Sequence, residues 1–231
     1  MEYLSFIKKQ LLSIKGLPLL MLIAGIAIQL VILLMNPITG MSLLAFVAGS
    51  VGFSTVVYMM NGSPVNGLLG LISAFGFIVI HYNAGHYASV LDQLVFVALI
   101  DLPLIVKWRT WGERVEGGVK KLTAGNVIDI VIIMGILWLP LDYVYILLGD
   151  TQPAIDSLIL VIGATASWLV FKGYALSYKF WLFNNLINIA LWFGALQHGL
   201  SSASIAMLVV TLLYTATDVY AMTHFWKPAK K

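Results

Sequence analysis

Charged side chains are scarce in this 231-residue chain. Asp, Glu, Lys and Arg make up 10% of it, whereas soluble proteins carry about 25%. Hydrophobic residues make up 61%, which is more apolar surface than a soluble core of this size can bury. The scarcity of charge therefore excludes a soluble globular protein and indicates that lipid is the solvent. There is also no cysteine, which excludes disulfides and thiolate metal sites.

Long apolar runs between these few charges define candidate transmembrane helices. About 20 apolar residues are needed for an α-helix to cross the hydrocarbon core of a bilayer. Pro, Gly, Asn and charged residues divide the chain into eight such runs. They predict helices over 17–35, 38–60, 65–84, 87–107, 125–148, 153–173, 178–197 and 202–225. The predicted fold class is therefore all-α integral membrane. Residues 1–15 are amphipathic and either lie on the membrane surface or form a disordered tail.

The basic residues all fall on one side of this eight-helix scheme. That side carries all 13, namely Lys8, Lys9, Lys15, Lys107, Arg109, Arg114, Lys120, Lys121, Lys172, Lys179, Lys227, Lys230 and Lys231. Loops rich in Lys and Arg stay in the cytoplasm. We therefore expect a multi-pass protein of a bacterial inner membrane with both termini cytoplasmic. The net charge of +3 reflects this orientation and indicates no nucleic-acid partner.

Two stretches of the chain resemble each other. Asn66-Gly-Leu-Leu-Gly is followed by a turn and then Asp101, and Asn184-Asn-Leu-Ile-Asn is followed by a turn and then Asp218. Three helices carry the chain across the membrane, so a second copy in the same orientation needs one extra crossing. We therefore predict two parallel three-helix repeats joined by a linking helix, plus one N-terminal helix. Transporters use repeats because a site between two similar halves can open alternately to either side.

The predicted organisation has four parts. Residues 1–36 form the N-terminal amphipathic stretch and the extra transmembrane helix, and residues 37–110 form the first three-helix repeat. Residues 111–150 form a cytoplasmic loop and the linking helix, and residues 151–231 form the second repeat and a cytoplasmic tail.

The seventh predicted helix carries a stripe of polar and aromatic side chains. They are spaced at i, i+3, i+4, i+7 and i+11, which places them on one helical face: Trp181, Asn184, Asn185, Asn188 and Trp192. Amides and indoles on one face point toward protein or a water-filled cavity, because lipid cannot satisfy them. Amides pair with polar groups and Trp stacks on flat cationic rings. The stripe favours a pocket for a flat, polar, cationic ring, although Asn side chains also join membrane helices.

Two other helices offer further candidates for the same site. The last helix carries Tyr214 and Asp218, and the fourth carries Gln93, Phe96 and Asp101. No Lys or Arg lies within a predicted span to pair with either aspartate. Each is therefore protonated, hydrogen-bonded to a neighbour, or available to a cation from outside, and the sequence leaves these alternatives open.

Enzymatic function has little support in the sequence. There is no Gly-rich phosphate loop, nucleophile elbow or HExxH motif. His81 and His86 are five residues apart, which matches no zinc-ligand spacing. We therefore expect no catalytic residue, no metal site and no cofactor. A membrane scaffold that binds a partner helix through the polar stripe remains an alternative.

Three short elements resemble the PnuC family of nicotinamide riboside transporters. They are Trp181-x6-Asn188, the turn His198-Gly199-Leu200, and Leu91-Asp-Gln-Leu-Val-Phe96, which fits a Gln-x-x-Phe element. The resemblance covers about 38–226, and it departs from the family after Phe96, where Asp101-Leu-Pro103 replaces a Tyr-Gly stretch. The role of Asp101 therefore rests on its chemistry alone.

The resemblance implies a SWEET-like facilitator that imports nicotinamide riboside, a form of vitamin B3. Substrate would diffuse down its gradient and be trapped by cytoplasmic phosphorylation for NAD biosynthesis. Transport of a related vitamin, thiamine or riboflavin, is the natural alternative. The expected partners are the small-molecule substrate, the lipid bilayer and further copies of the chain in a homo-oligomer.

Overall fold

The computed structural model describes residues 2–109, 120–199, 201–224 and 226. The predicted cytoplasmic loop at 111–119 and the basic tail at 227–231 lie outside these residues. The regular secondary structure of the described residues is helical, apart from one isolated bridge between Lys120 and Tyr174. Its helices are α1 (Glu2–Leu11), α2 (Gly16–Met35), α3 (Gly40–Met60), α4 (Asn66–Ala84), α5 (Tyr87–Val106), α6 (Ala124–Leu147), α7 (Pro153–Lys172), α8 (Ser177–His198) and α9 (Ser202–Thr223).

Helix boundaries follow from local capping chemistry. The Thr39 hydroxyl oxygen accepts a hydrogen bond from the backbone N–H of Ser42, and the Ser42 hydroxyl oxygen accepts one from the backbone N–H of Thr39, so that α3 begins with a capping box. Ser201 caps α9 in the same position. Helices α4 and α7 end at Gly85 and Gly173, whose φ angles of 76° and 78° are strained for other residues.

Seven of the described helices, α2 to α7 and α9, are long and apolar enough to cross a membrane. The all-α membrane class predicted from composition is therefore confirmed. Helix α8 has 22 residues but does not reach the same hydropathy, and it contains Asn184, Asn185 and Asn188. Its crossing stays a prediction, because the polar stripe lowers the apolar character on which the count depends.

Six helices form a closed ring. Helix α3 packs against α4, α4 against α5, α5 against α7, α7 against α8, α8 against α9, and α9 against α3. Outside the ring, α2 packs on α3 as α6 packs on α7. Tyr145 is the one buried residue of α6. The exposed side chains of α6 are mostly apolar, as expected of a helix that faces lipid.

Helix α5 is interrupted, although the sequence predicted a continuous helix over 87–107. Residues Val97–Asp101 form a π-helical turn, and the N–H of Leu102 bonds to the carbonyl of Val97. Pro103 follows at once and has no N–H to donate. A π-helical turn accommodates the proline without ending the helix.

The helix ends divide the molecule into what we call the basic end and the acidic end. The basic end carries Lys15, Lys107 and Lys172, and there Lys120 donates its backbone N–H to Gly173 over 2.8 Å. The acidic end carries the turns at 85–86 and 149–152, which meet through a 3.2 Å bond from the N–H of Thr151 to the carbonyl of Gly85.

The N-terminal stretch is a helix and not the disordered tail that the sequence left open. Its location on the membrane surface stays a prediction. Helix α1 lies at the basic end, where Tyr58 donates to the carbonyl of Leu11 over 2.7 Å and Ser63 donates to Gln10 over 2.6 Å. The ring of Phe6 packs on Trp108 at 4.4 Å between centroids. Tyr3, Phe6 and Ile7 of α1 therefore pack against the bundle.

Candidate functional site

A cavity lies inside the six-helix ring, and each of the six helices contributes to its wall. The cavity measures about 110 Å³, and the surrounding space not filled by protein atoms, open solvent included, amounts to about 880 Å³. The ring therefore encloses a cavity at its centre that all six helices shape.

Nine of the ten candidate residues named from the sequence line this cavity. They are Gln93, Phe96, Trp181, Asn184, Asn185, Asn188, Trp192, Tyr214 and Asp218. The five residues from α8 lie together because their spacing keeps them on one helical face. Asp101 is the tenth, and it does not line the cavity.

The amides of α8 are positioned partly by their neighbours. Asn185 donates its side-chain N–H to the carboxylate of Asp218 over 2.7 Å, which joins α8 to α9. Asn188 donates to the backbone carbonyl of Asn184 over 3.1 Å, so its own side-chain oxygen is held in place. The side-chain oxygen of Asn184 is buried and has no hydrogen-bond partner among the described residues. One amide thus joins two helices, while the other two retain capacity to bind a ligand.

Aromatic rings form the two ends of the α8 face. Trp181 lies edge-on to Phe96 with centroids 5.7 Å apart, and its buried indole N–H has no partner in the described part of the chain. Trp192 is almost fully buried and contacts the rings of His81 and His86, each at 5.3 Å. The cavity therefore presents flat faces and an unused donor.

The charges around the cavity are acidic. Asp92 and Asp218 both line it, and no Lys or Arg is among its lining residues. Asp218 keeps one side-chain hydrogen bond, from Asn185. In their ionised form these carboxylates attract a cationic solute and repel an anionic one.

Asp101 lies in a different environment from Asp218. It is fully buried, and neither carboxylate oxygen has a hydrogen-bond partner among the described residues. A Cβ atom at Gly70 would overlap this carboxylate, so the missing side chain is what lets α5 approach α4. Gly70 lines the cavity, and Asp101 packs behind Gly70 without reaching the cavity itself.

Several lining residues were missed by the sequence interpretation. Ser89 and Asp92 share the face of α5 that carries Gln93 and Phe96, at spacings of i, i+3, i+4 and i+7. The rule that identified the stripe on α8 would have found both. His81 lines the cavity from α4, and the sequence interpretation did not assign it to the site.

A second cluster of polar side chains lies at the acidic end. Ligand atoms of His86, Asp150 and Asp156 all lie within 4.8 Å of one another. Burial lowers the pKa of His86 below its ordinary value, and the carboxylate of Asp150 acts in the opposite direction. His86 and Asp150 come from two separate turns and Asp156 from the first turn of α7, so no sequence spacing could have brought them together.

Comparison with known proteins gives three matches. A family model described as nicotinamide mononucleotide transporter matches residues 42–227. The nicotinamide riboside transporter PnuC of Neisseria mucosa is 26% identical over 218 residues, which cover 91% of this chain and 81% of that protein. The crystal structure of the vitamin B3 transporter PnuC matches with a TM-score of 0.77 at 23% identity and covers 96% of both chains. The fold is therefore that of PnuC.

Proposed function

Since the chain belongs to the nicotinamide mononucleotide transporter family, we propose that it imports nicotinamide riboside. The protein is a multi-pass membrane transporter rather than an enzyme, as its relatives are. The observation that carries the choice of substrate is the wall of the cavity, which combines amides, indoles and carboxylates without any Lys or Arg.

The same wall favours a riboside over a mononucleotide. Proteins bind phosphate through Arg, Lys or the N-terminus of a helix. The lining residues include neither cation, and their two aspartates would repel a phosphate. Nicotinamide riboside carries a positive ring and no phosphate, so its charge complements Asp92 and Asp218.

The proposed site consists of the nine lining residues named from the sequence. Trp181 and Phe96 would stack on the nicotinamide ring, and Asp218 would balance its charge. Asn184, Asn188 and Gln93 would bind the carboxamide and the ribose hydroxyls. Asn185 would hold Asp218, while Trp192 and Tyr214 would close the cavity. Asp101 would pack behind Gly70 without touching the substrate.

The architecture we propose keeps the two three-helix repeats, α3–α5 and α7–α9, joined by α6. The contact of α5 with α7 mirrors that of α9 with α3, and α2 lies on α3 as α6 lies on α7. Helix α8 would be the eighth crossing, with its polar face turned to the cavity and away from lipid. The domain boundaries at 36, 110 and 150 follow from this scheme.

Transport by facilitated diffusion is the mechanism we infer. Both three-helix units contribute to one cavity, as alternating access requires. Cytoplasmic phosphorylation would add a charge that the acidic wall rejects, so that inward flux would become one-way. Assembly into a homo-oligomer stays a prediction.

Orientation is the second part of the proposal. The basic end would face the cytoplasm and the acidic end the periplasm of a bacterial inner membrane. Reporter fusions after Lys121 and after Gln152 are expected to read cytoplasmic and periplasmic, respectively. The same compartment at both positions would remove the crossing of α6, and with it the parallel arrangement of the repeats.

Calorimetry on the purified protein tests the substrate. We expect saturable binding of nicotinamide riboside and none of nicotinamide mononucleotide, thiamine or riboflavin. Preference for thiamine or riboflavin would assign the chain to a related vitamin. A protein that binds none of the four would fit the scaffold alternative.

A further inference from the structure

Two turns meet at the acidic end and hold each other in place. The backbone N–H of Tyr87 donates to one carboxylate oxygen of Asp150 over 2.9 Å, and the N–H of Gln152 donates to the other over 2.9 Å. Ser89, which lines the cavity, donates to Asp156. The carboxylates of Asp150 and Asp156 are therefore oriented before any ligand arrives.

The imidazole of His86 is oriented by the same turns. The hydroxyl of Thr151 donates to the carbonyl of Ala84 over 3.3 Å and lies 3.2 Å from Nδ1 of His86. A hydroxyl that donates to Ala84 accepts from Nδ1–H of the imidazole, and in that tautomer Nε2 keeps its lone pair. Metal-binding histidines are held in this manner, with one nitrogen donating and the other free.

The atoms left over point to a missing ligand. His86 Nε2 and Asp156 Oδ2 are buried, and neither has a hydrogen-bond partner within the described residues. His86, Asp150 and Asp156 are 1%, 9% and 0% exposed, so bulk water cannot satisfy them. Buried polar atoms without partners are rare in native proteins. Two carboxylates in one buried cluster also need a proton or a cation, and no Lys or Arg pairs with them in the described part of the chain.

We propose that His86, Asp150 and Asp156 bind one divalent transition-metal ion of the Zn²⁺ type. Their ligand atoms lie within 4.8 Å of one another, and Zn²⁺ binds nitrogen and oxygen ligands at about 2.0–2.2 Å. Small side-chain movements bring all three onto one ion. Two carboxylates balance its charge, and the imidazole disfavours Ca²⁺ and Mg²⁺, which prefer oxygen ligands alone.

The position of the ion gives it a structural consequence. His86 precedes α5, and Asp150 and Asp156 lie before and within α7, so that the ion would join the two three-helix units. Ser89 lines the cavity and donates to Asp156, so the proposed ion lies next to the cavity wall, at the interface of the two units. Binding of the ion would hold this interface closed.

Metal titration of the full chain tests the proposal. The protein is purified without a histidine tag, stripped with EDTA and titrated with Zn²⁺, Ca²⁺, Mg²⁺ and Na⁺ by calorimetry, with thermal unfolding in parallel. We expect one saturable Zn²⁺ per chain, no saturable binding of the other three ions, and a higher unfolding midpoint with Zn²⁺. His86→Gln and Asp156→Asn are expected to weaken Zn²⁺ binding by at least about tenfold. His224→Gln and Asp129→Asn remove an exposed histidine and an exposed aspartate at the basic end and are expected to change nothing.

X-ray absorption on the zinc-loaded wild-type protein reads the ligand set without any variant. One imidazole nitrogen with oxygen ligands is expected. Two imidazoles would place the ion between His81 and His86, whose rings are 6.4 Å apart, and would overturn the assignment. Absence of saturable Zn²⁺ binding, selectivity for Ca²⁺ or Na⁺, or unchanged binding in both ligand variants would overturn it as well.

Discussion

Helices α4 and α8 carry similar sequence stretches and use them in opposite ways. Asn66-Gly-Leu-Leu-Gly70 opens α4, and Asn184-Asn-Leu-Ile-Asn188 lies inside α8. In α4 the glycines let α5 approach, because side chains at Gly67 and Gly70 would overlap the backbone and the carboxylate of Asp101. In α8 the asparagines project into the cavity, and one of them bonds to Asp218.

The difference separates packing from recognition. Asp101 has no hydrogen-bond partner among the described residues and does not line the cavity, whereas Asp218 is held by Asn185 and lines it. A glycine surface gives a close helix contact, and an amide surface gives donors and acceptors. Helix α8 therefore supplies three amides to the cavity wall, and α4 supplies a close contact with α5.

The largest expected effect comes from removing an amide of α8. Asn188→Leu is expected to abolish measurable binding of nicotinamide riboside, because an unpaired buried substrate group costs about 1–3 kcal/mol. Folding should be intact, since within the described residues the side chain of Asn188 hydrogen-bonds only to its own helix. Calorimetry checks the binding, and size-exclusion chromatography checks the fold. Asn83→Leu, at an exposed position of α4, is the control. Normal binding by Asn188→Leu would mean that the stripe serves helix packing alone.

Replacing a glycine of α4 should lower the stability of the protein. Gly70→Ala is expected to lower the free energy of unfolding by about 1–3 kcal/mol, because its methyl group overlaps the buried carboxylate of Asp101. Thermal unfolding in detergent measures the change. The matched control is Gly135→Ala in α6, where a Cβ atom meets nothing within 4 Å. Equal stability of the two variants would show that α4 and α5 are not closely packed.

The two aspartates should differ in their effect on charge recognition. Asp218→Asn keeps an oxygen that can accept from Asn185 but removes the negative charge. It is expected to weaken binding of nicotinamide riboside by about tenfold, or ~1.4 kcal/mol, with little change for an uncharged analogue. Asp101→Asn is expected to leave both affinities unchanged. Calorimetry with the two ligands measures the difference, and an equal loss from both variants would remove the distinction between the units.

The smallest expected effect is that of an imposed pH gradient on uptake. Proton pathways use chains of neighbouring acidic and histidine residues. Neither Asp101 nor Asp218 belongs to such a chain along its own helix. Uptake of riboside into liposomes is therefore expected to be the same with and without the gradient. Accumulation above the outside concentration, lost in Asp218→Asn, would show that this carboxylate carries protons.

The sequence predicted those features that depend on one helix at a time. Long apolar runs located the helices, and the i, i+3, i+4, i+7 spacing located the face of α8. The same rule would have found Ser89 and Asp92 on α5. The contact of Asp101 with Gly70 could not be predicted, because it depends on how two helices approach each other.

The cluster at His86, Asp150 and Asp156 was missed for a similar reason. His86 precedes α5, Asp150 precedes α7 and Asp156 lies within α7, and only the packing of α5 on α7 brings them together. The π-helical turn before Pro103 was also missed, since the apolar run over 87–107 reads as regular helix. Hydrophobic periodicity carries no information about a local change in hydrogen bonding.

Uptake into liposomes tests the central claim most directly. Purified protein is reconstituted into vesicles loaded with unlabelled nicotinamide riboside, and entry of labelled riboside is measured by exchange. We predict rapid exchange that excess unlabelled riboside outside inhibits and nicotinamide mononucleotide does not, because the cavity wall carries carboxylates and no Lys or Arg. Equal inhibition by the mononucleotide, or no exchange above protein-free vesicles, would contradict the account.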